Sequence, residues 1–427
     1  MLSPLHHPST AQLTIWSIVA LAILGIVTRP AKLPEAVWAT VGAIALMALD
    51  LIPLNDALAA VTRGTDVYLF LLGMMLLAEL GRREGLFDWL AAYALRHARG
   101  SARRLFLLVY AVGTLVTIFL SNDATAVVLT PAVYASARRA QVPALPYLLA
   151  CAFIANAASF LLPISNPANL VVFGERMPLL GSWLAAFGLA SLVSVVITYL
   201  LLRLTLRRSL TAPLAPSVAA TSLSLSGRIA AGTIVLSALG LMLAAACGWP
   251  LGLLEFILGA TGCGLICLIE RRSPVPLLRH IAWSVLPLVA GLFVLVQAVE
   301  NTGALASLVD WLSRHDAVAP RETAVLSGGS VAFASNAINN LPMGLLAATV
   351  ARSAHASAQL IGALLIGVDL GPNLSVTGSL ATILWLIAIR REGEDVGFLG
   401  FLRIGVWVMP LSLVAALLTF LAVGHAG

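Results

Sequence analysis

The 427-residue sequence contains a single lysine, Lys32, and only 10% of its residues are charged. A Walker A phosphate loop needs a Gly-Lys-Ser/Thr motif, so this scarcity excludes one, and any ATP-driven step would require another subunit. Hydrophobic residues make up 60% of the chain, a proportion typical of integral membrane proteins. The longest polar stretch, about 203–228, is rich in Ser, Ala and Pro and indicates a linker, not a soluble domain.

Cysteine and histidine are also scarce. The four cysteines form no Cys-x-x-Cys pair, so neither a disulfide framework nor a zinc site is indicated. The seven histidines lie mostly near the chain ends and in loops, so we expect neither an enzyme nor a cofactor. A thiol ligand for a soft solute is not favoured, because buried free Cys usually behaves as a small hydrophobe, and Cys151 is the best placed of the four.

The N-terminal residues 1–12 contain no Lys or Arg and therefore lack the basic region of a signal peptide. The first apolar run is thus expected to be a retained helix. Runs long enough to span a membrane recur along the whole chain, whereas an outer-membrane barrel would show short alternating segments. These runs include Leu13–Val27, Ala36–Leu51, Trp183–Leu202, Ile229–Ala246, Leu251–Leu268 and Ile281–Val299.

Basic residues indicate the orientation in the membrane. Of the 25 Lys and Arg residues, all but Arg63, Arg176, Arg314, Arg321 and Arg352 fall on the connections at one predicted face. This face is therefore expected in the cytoplasm, with both termini on the external, periplasmic side of the inner membrane. The basic balance indicates topology, and no nucleic-acid partner is expected.

Polar residues interrupt two apolar runs at corresponding places in the two halves. The first cluster lies within 119–131 and the second within 334–344, and they contain the pairs Asn122-Asp123 and Asn339-Asn340. Further matches follow in order at spacings between 212 and 222 residues, among them 164–170 with 376–382. With five spans in each half, this duplication predicts two inverted-topology repeats, as in many secondary transporters. A plain twelve-span arrangement is the alternative, but 105–120 and 124–137 are shorter than the roughly 20 residues that a span needs.

We therefore predict an all-α polytopic membrane protein with about ten transmembrane helices, two re-entrant helical hairpins and two broken helices. The first repeat covers 1–208, with three helices, a hairpin at 105–137, a broken helix at 146–174 and a helix at 182–206. A cytoplasmic linker at 209–227 leads to the second repeat at 228–427, with three helices, a hairpin at 322–352, a broken helix at 358–390 and a helix at 400–423.

The hairpin tips and helix breaks are the candidate functional positions. Helices that stop inside the membrane leave N–H and C=O groups free for a polar solute, and the amides of Asn122 and Asn339 add donors and acceptors. Pro and Gly break the helices, while polar side chains such as Asn166 satisfy the freed backbone. A purely structural explanation, in which these residues only cap and pack the helix ends, stays open.

Carboxylates at membrane depth are the candidates for proton coupling. A proton-coupled carrier needs a group that is charged in one state and neutral in another, and Asp123 and Asp369 can meet this need. The alternative for Asp369 is a structural kink in which the carboxylate is paired locally. Glu79 and Glu300 lie near the ends of their runs and are expected at interfaces or beside arginines.

Three segments, 121–131, Asn339–Pro342 and Gly367–Leu386, resemble the signature of the arsenite efflux pump (ArsB) family of the ion transporter superfamily. The resemblance covers nearly the whole chain, and its specific part is Asp-Leu-Gly-Pro followed by Gly-Ser-Leu-Ala-Thr within the third segment. It implies a secondary exporter of trivalent arsenite and antimonite that confers arsenical resistance, and our hypothesis is that Asp123 and Asp369 couple this export to inward proton movement. The resemblance also implies an elevator-like movement and allows for a separate arsenite-stimulated ATPase subunit and for a homodimer.

The resemblance, together with the first break, defines the predicted site. The predicted proton-coupling residues are Asp123 and Asp369. The predicted substrate-binding residues are Asn122, Asp123, Asn166, Asn339, Asn340, Gly371, Thr377, Gly378 and Ser379.

The charge pattern agrees with this substrate. Arsenous acid is neutral near pH 7, and no Lys or Arg lies between Arg104 and Arg138 or between Arg352 and Arg390, where a dicarboxylate would need a cation. Helix N-termini can also hold an anion. A sodium/proton antiporter or a sodium-coupled organic-anion carrier of the same superfamily therefore stays open as the alternative.

Overall fold

Residues 9–174, 177–214 and 222–423 are described by the computed structural model of the protein. The first half contains α1 Thr10–Thr28, α2 Glu35–Ala48, α3 Leu54–Arg63, α4 Thr65–Arg83, α5 Leu86–His97, α6 Ala102–Phe119, α7 Asn122–Ala124, α8 Thr130–Arg139, α9 Leu145–Ala157, α10 Pro167–Phe173 and α11 Leu180–Thr205. The second half contains α12 Leu225–Cys247, α13 Leu251–Ile269, α14 Val275–His280, α15 Val285–Asn301, α16 Ala306–Val318, α17 Pro320–Ile338, α18 Asn340–Ser353, α19 Ala358–Leu370, α20 Leu380–Arg391 and α21 Phe398–Val423. The N-terminal stretch 1–8, Arg176 and the centre of the predicted linker, 215–221, lie outside the described residues.

The described residues form helices and no named β-strand, which confirms the predicted all-α class. Six of their helices are long and apolar enough to cross a membrane, namely α1, α6, α11, α12, α13 and α21. The pairs α3–α4 and α15–α16, bent by 45° and 85°, raise this number to eight if each pair counts as one span. The protein is thus a polytopic membrane protein with broken helices, and the count of ten spans stays a prediction.

One group of helices is held together by close contacts across the two halves. Helix α4 packs along α13, and α2 packs along α15. Glycines bring the α4 and α13 backbones close together, since a Cβ on Gly259 would lie 2.7 Å from the carbonyl oxygen of Gly73. Small residues are common at helix contacts in lipid. The hydrophobic effect does not drive helices together there, so close van der Waals packing has to do so.

A second group surrounds the two helix breaks. Helix α6 packs on α9, α17 packs on α19, and α11 packs on α21. Aromatic rings stack between the halves, with centroids 5.2 Å apart for Phe187 and Phe420 and 4.8 Å apart for Phe153 and Phe401. These contacts place the end of α9 and the end of α19 side by side in the interior.

The helices on either side of the two breaks occur at one constant spacing. The starts of α9 and α19 are 213 residues apart, and so are their ends, Ala157 and Leu370. The same 213 residues separate Pro167 from Leu380, where the helices after the breaks begin. This agreement is the structural counterpart of the predicted duplication, and the repeat boundaries themselves stay a prediction.

Candidate functional site

The first break leaves carbonyl groups that need new partners. Proline at 163 and 167 cannot donate a backbone hydrogen bond, so α9 does not continue into α10. The buried amide of Asn169 donates to the carbonyl oxygens of Ser159, Leu162 and Pro163 at 2.9, 3.2 and 3.2 Å. The two N–H groups of one side chain are thus shared among three carbonyls at the break, which supplies the partners that burial in lipid or protein requires.

The second break is satisfied by a side chain from α17. Asn336 donates to the carbonyl oxygen of Gly371 at 2.9 Å, and its own oxygen accepts from the hydroxyl of Ser375 at 2.7 Å. The hydroxyl of Thr377 donates to the backbone carbonyl of Asn336 at 3.0 Å. The second hairpin and the second broken helix are therefore joined by a polar network.

Asp369 connects the two broken helices. The amide of Asn166, which caps α10, donates to one oxygen of the fully buried Asp369 carboxyl group at 2.8 Å. The Ser159 hydroxyl lies beside the same group. The other oxygen, Oδ2, is buried without a hydrogen-bond partner among the described residues. A carboxyl group in such a place favours binding a proton or a cation, because an isolated buried charge is costly.

Asn156 makes the complementary connection. Its amide nitrogen donates to the Asn373 side-chain oxygen at 3.0 Å and to the Thr382 hydroxyl at 3.3 Å. Its oxygen accepts from the hydroxyl of Ser379, the cap of α20, at 3.2 Å. Each hydrogen bond between helices in a membrane contributes about 0.6 kcal/mol on average. Five such bonds cross the breaks, including the one that the Asn373 amide donates to the carbonyl of Phe153, and together they stabilise this arrangement only modestly.

The first hairpin tip is a buried turn that carries Asn122 and Asp123. The Ser121 hydroxyl caps the new helix by accepting from the N–H of Ala124 at 3.1 Å. The chain then forms a π-helical turn at Thr125–Leu129, since Pro131 supplies no N–H for an α-helical bond. Such turns are frequent at functional sites. The tip rests on the first break, because Ser165 donates to the carbonyl of Ile118 at 3.0 Å.

The second hairpin tip is closed against the second break. Asn339 has φ 75°, a left-handed backbone that a non-glycine residue rarely adopts, and its side chain caps α18. The N–H of Asn340 donates to the carbonyl of Gly378 at 2.8 Å. A Cβ on Gly378 would lie 2.7 Å from the Asn336 side-chain oxygen, so glycine permits this closure.

A cavity of about 540 Å³ leads to the first tip. Its inner end is lined by Ser121, Asp123 and Pro167, the first residue of α10. Its outer end lies where α4, α14 and α20 finish, at the face on which most arginines are found. Asp123 therefore contacts the cavity, whereas the fully buried Asp369 does not line it.

Charged side chains surround the outer end of the cavity. Glu79 accepts two hydrogen bonds of 2.6 Å from Arg82, and His280 lies 3.9 Å from the same carboxylate. This pairing agrees with the expectation that Glu79 is the partner of a nearby arginine. The remaining charged lining residues, apart from Asp123, are Asp88, Arg391 and Glu392. Among the described residues that line the cavity, four carboxylates thus face two arginines.

The predicted site residues lie on the two tips and the two breaks. Their roles in binding and coupling stay predictions. The polar partners that the sequence argument did not assign are Asn156, Asn169, Asn336, Asn373, Ser375 and Thr382. Their residue type is the sequence feature that indicates them, since an amide or hydroxyl in an apolar run at membrane depth is rare without a partner or a function.

Replacing Cys151 by Ser should leave transport at the wild-type rate. Cys151 is fully buried in α9, and none of the described residues that line the cavity is a cysteine. We expect a loss of stability of about 1 kcal/mol, because a hydroxyl is more costly to bury than a thiol. Transport and thermal unfolding of this variant should be compared with Cys247→Ser, which changes an exposed thiol. A transport-dead but folded Cys151→Ser would indicate thiol ligation of the solute.

The family described as "CitMHS: Citrate transporter" matches residues 19–370. The chain belongs to the CitMHS family. Among curated relatives of this CitMHS protein, the arsenical pump membrane protein of Escherichia coli K12 is 25% identical over 424 residues, which is 95% of this chain and 97% of the relative. An uncharacterized transporter of Mycobacterium tuberculosis is 27% identical over 410 residues, which is 90% of this chain and 92% of the relative.

Two solved structures share the fold of the CitMHS protein. The YdaH transporter of Alcanivorax borkumensis has a TM-score of 0.57 at 14% identity, covering 96% of this chain and 98% of that chain. MtrF of Neisseria gonorrhoeae, described among antimetabolite efflux pumps, has a TM-score of 0.54 at 12% identity, covering 97% and 95%. Family and relatives establish a membrane transporter rather than an enzyme, and they confirm the resemblance to arsenical pumps.

Proposed function

We propose that this CitMHS protein is a secondary active exporter of trivalent arsenite and antimonite that is driven by inward proton movement and confers arsenical resistance. The observation that carries the proposal is the charge of the cavity, where four carboxylates face two arginines. Arg82 is moreover already paired with Glu79. Such a cavity repels a multiply charged anion and admits a neutral or cationic solute. The names of the arsenical pump relatives support the same substrate.

Arsenous acid suits the inner end of the cavity. It is neutral near pH 7 and carries hydroxyl groups that both donate and accept hydrogen bonds. The Ser121 hydroxyl and the Asp123 carboxylate, which line this end, offer complementary partners. The solute therefore binds at the tip without a fixed cation.

The coupling protons bind to two carboxylates, Asp123 at the first tip and Asp369 at the second break. Asp123 contacts the cavity and exchanges protons with its water. Asp369 is enclosed, has one unpartnered oxygen and joins the two broken helices, so its protonation alters a contact between the halves. A carrier that must change shape with its proton load requires such a joint.

The structure represents the form that is open to the cytoplasm in this proposal. The cavity opens at the arginine-rich face, which charge counting predicts to be cytoplasmic. The second tip, by contrast, is closed against the second break. Export then requires a movement that closes this cavity and opens the second tip to the periplasm.

Everted membrane vesicles from a bacterium without its own arsenite pump test the proposal. Vesicles with the protein should accumulate radiolabelled arsenite when respiration acidifies their interior, and antimonite should compete. A protonophore should reduce uptake to that of vesicles without the protein. Uptake that persists after the proton gradient has collapsed would contradict proton coupling.

Citrate is the second candidate substrate because the family description names it. Right-side-out vesicles from the same cells should be tested with labelled citrate, with and without sodium. Citrate uptake without arsenite uptake would overturn the proposed substrate and would favour a sodium- or proton-coupled organic-anion carrier.

A further inference from the structure

Asn156 and Asp369 occupy equivalent positions in the two halves. They are separated by 213 residues, the spacing at which α9 matches α19, and each lies next to the last residue of its helix. Their partners are equivalent as well, because the same spacing separates Asn166 from Ser379. Asn166 and Ser379 each cap the helix that follows a break.

The hydrogen bonds between these residues cross from one half to the other in the same way. Asn166 of the first half donates to the Asp369 oxygen at 2.8 Å, and Ser379 of the second half donates to the Asn156 oxygen at 3.2 Å. Each break thus offers an acceptor oxygen before it and a capping donor after it. The two halves form one symmetric joint.

The two positions differ in their second polar atom. The amide nitrogen of Asn156 is occupied by Asn373 and Thr382, whereas Oδ2 of Asp369 has no partner among the described residues. The groups that interact with Asp369, the amide of Asn166 and the hydroxyl of Ser159, are uncharged, as are the partners of Asn156. An amide keeps its protons, so only the Asp369 position can change its proton load.

We infer that Asn156 and Asp369 are interchangeable places for the proton-binding carboxylate of this joint, and that this chain uses only the second place. The inference rests on the proposed proton coupling. Asn156 then locks its half of the joint in a permanently neutral form, equivalent to a protonated carboxyl group. A protonated aspartate at 156 can donate to the Asn373 oxygen as the amide does now, so the joint accommodates the exchange.

The exchange variant Asn156→Asp with Asp369→Asn is the test. In vesicles it should recover proton-dependent arsenite uptake that Asp369→Asn lacks. Its matched control, Asn156→Ser with Asp369→Asn, puts a neutral group at the same place and should stay inactive. A control that recovers as well as the exchange variant would overturn the inference.

Asn156→Asp alone should add one proton to each cycle. The test uses proteoliposomes with the membrane potential clamped at zero. The ratio of the arsenite concentrations on the two sides at which net flux stops should then grow by a further factor of about ten for each unit of pH difference. An active Asn156→Asp variant with an unchanged ratio would overturn the inference.

Infrared difference spectra between acid and alkaline pH give a readout independent of the solute. The carbonyl band of a protonated buried carboxyl group should be lost in Asp369→Asn and return in the exchange variant. A folded exchange variant with neither this band nor transport would overturn the inference. Loss of proton dependence in the wild-type protein would instead contradict the proposed function.

Discussion

Asp369→Asn should abolish arsenite export while the protein still inserts into the membrane at the wild-type level. Asparagine keeps the size of the side chain and an oxygen that accepts from Asn166, so the joint between the broken helices persists. We expect a change in stability of about 1 kcal/mol, comparable to one neutral hydrogen bond. The amide cannot release or take up a proton, so inward proton movement no longer drives the cycle.

Uptake into everted vesicles and the amount of protein in the membrane should be measured together. Asp395→Asn is the matched control, because Asp395 is an exposed aspartate that pairs with Arg390 at 2.7 Å. The control should transport at the wild-type rate. Normal transport by Asp369→Asn would show that the coupling proton is carried elsewhere, with Asp123 as the next candidate.

The positions of the breaks could be predicted because their chemistry is local. Pro167 and Pro372 supply no N–H for a helical hydrogen bond and Gly371 disfavours helix in an apolar run, and the Asn, Ser and Thr residues beside them indicate that freed backbone groups need partners. These cues lie within a few residues of one another. The all-α class could be predicted for the same reason, because composition and the length of the apolar runs are also local properties of the sequence.

The pairing between the halves could not be predicted from local cues. Asn166 and Asp369 are 203 residues apart, and Asn156 and Ser379 are 223 residues apart. The sequence match paired the block at 164–170 with 376–382, a spacing of 212, whereas the helix ends and caps are 213 residues apart. With a spacing of 212, the residue equivalent to Asn166 would be Gly378, whereas with 213 it is Ser379. The structure decides between them, because Asn166 and Ser379 are the residues that cap the helices after the breaks.

Two further features depend on tertiary packing. The cavity collects ionisable residues from α4, α5, α7, α14 and the end of α20, which no sequence motif joins. Glu255 lies in an apolar run whose pattern predicts no role for it, yet it is fully buried and accepts a hydrogen bond from Ser237 of α12. A hydropathy average over a long window hides a single carboxylate of this kind, whereas its burial in the structure identifies it as unusual.

Gly371→Ala should destabilise the protein and abolish transport. Gly371 follows α19, and a Cβ there would overlap the carbonyl oxygen of Ala332 and lie 2.7 Å from its Cα. These are backbone atoms of α17, which cannot rotate aside as a side chain can. Gly371 has φ −49°, which suits any residue, so the effect is purely steric. We expect a loss at the upper end of the ~1–3 kcal/mol that overpacking costs, together with displacement of Asn336 from its bond to the Gly371 carbonyl.

Gly329→Ala is the matched control on the same pair of helices. Gly329 lies in α17, and a Cβ there would meet no atom within 4 Å. Since alanine favours helix over glycine by up to about 1 kcal/mol, this variant should be as stable as the wild type or slightly more stable. The two variants should be compared by the fraction of purified protein that stays monodisperse after heating and by arsenite uptake into vesicles. Equal stability and equal uptake for Gly371→Ala and Gly329→Ala would contradict the close approach of α17 to the second break, on which the closed second tip depends.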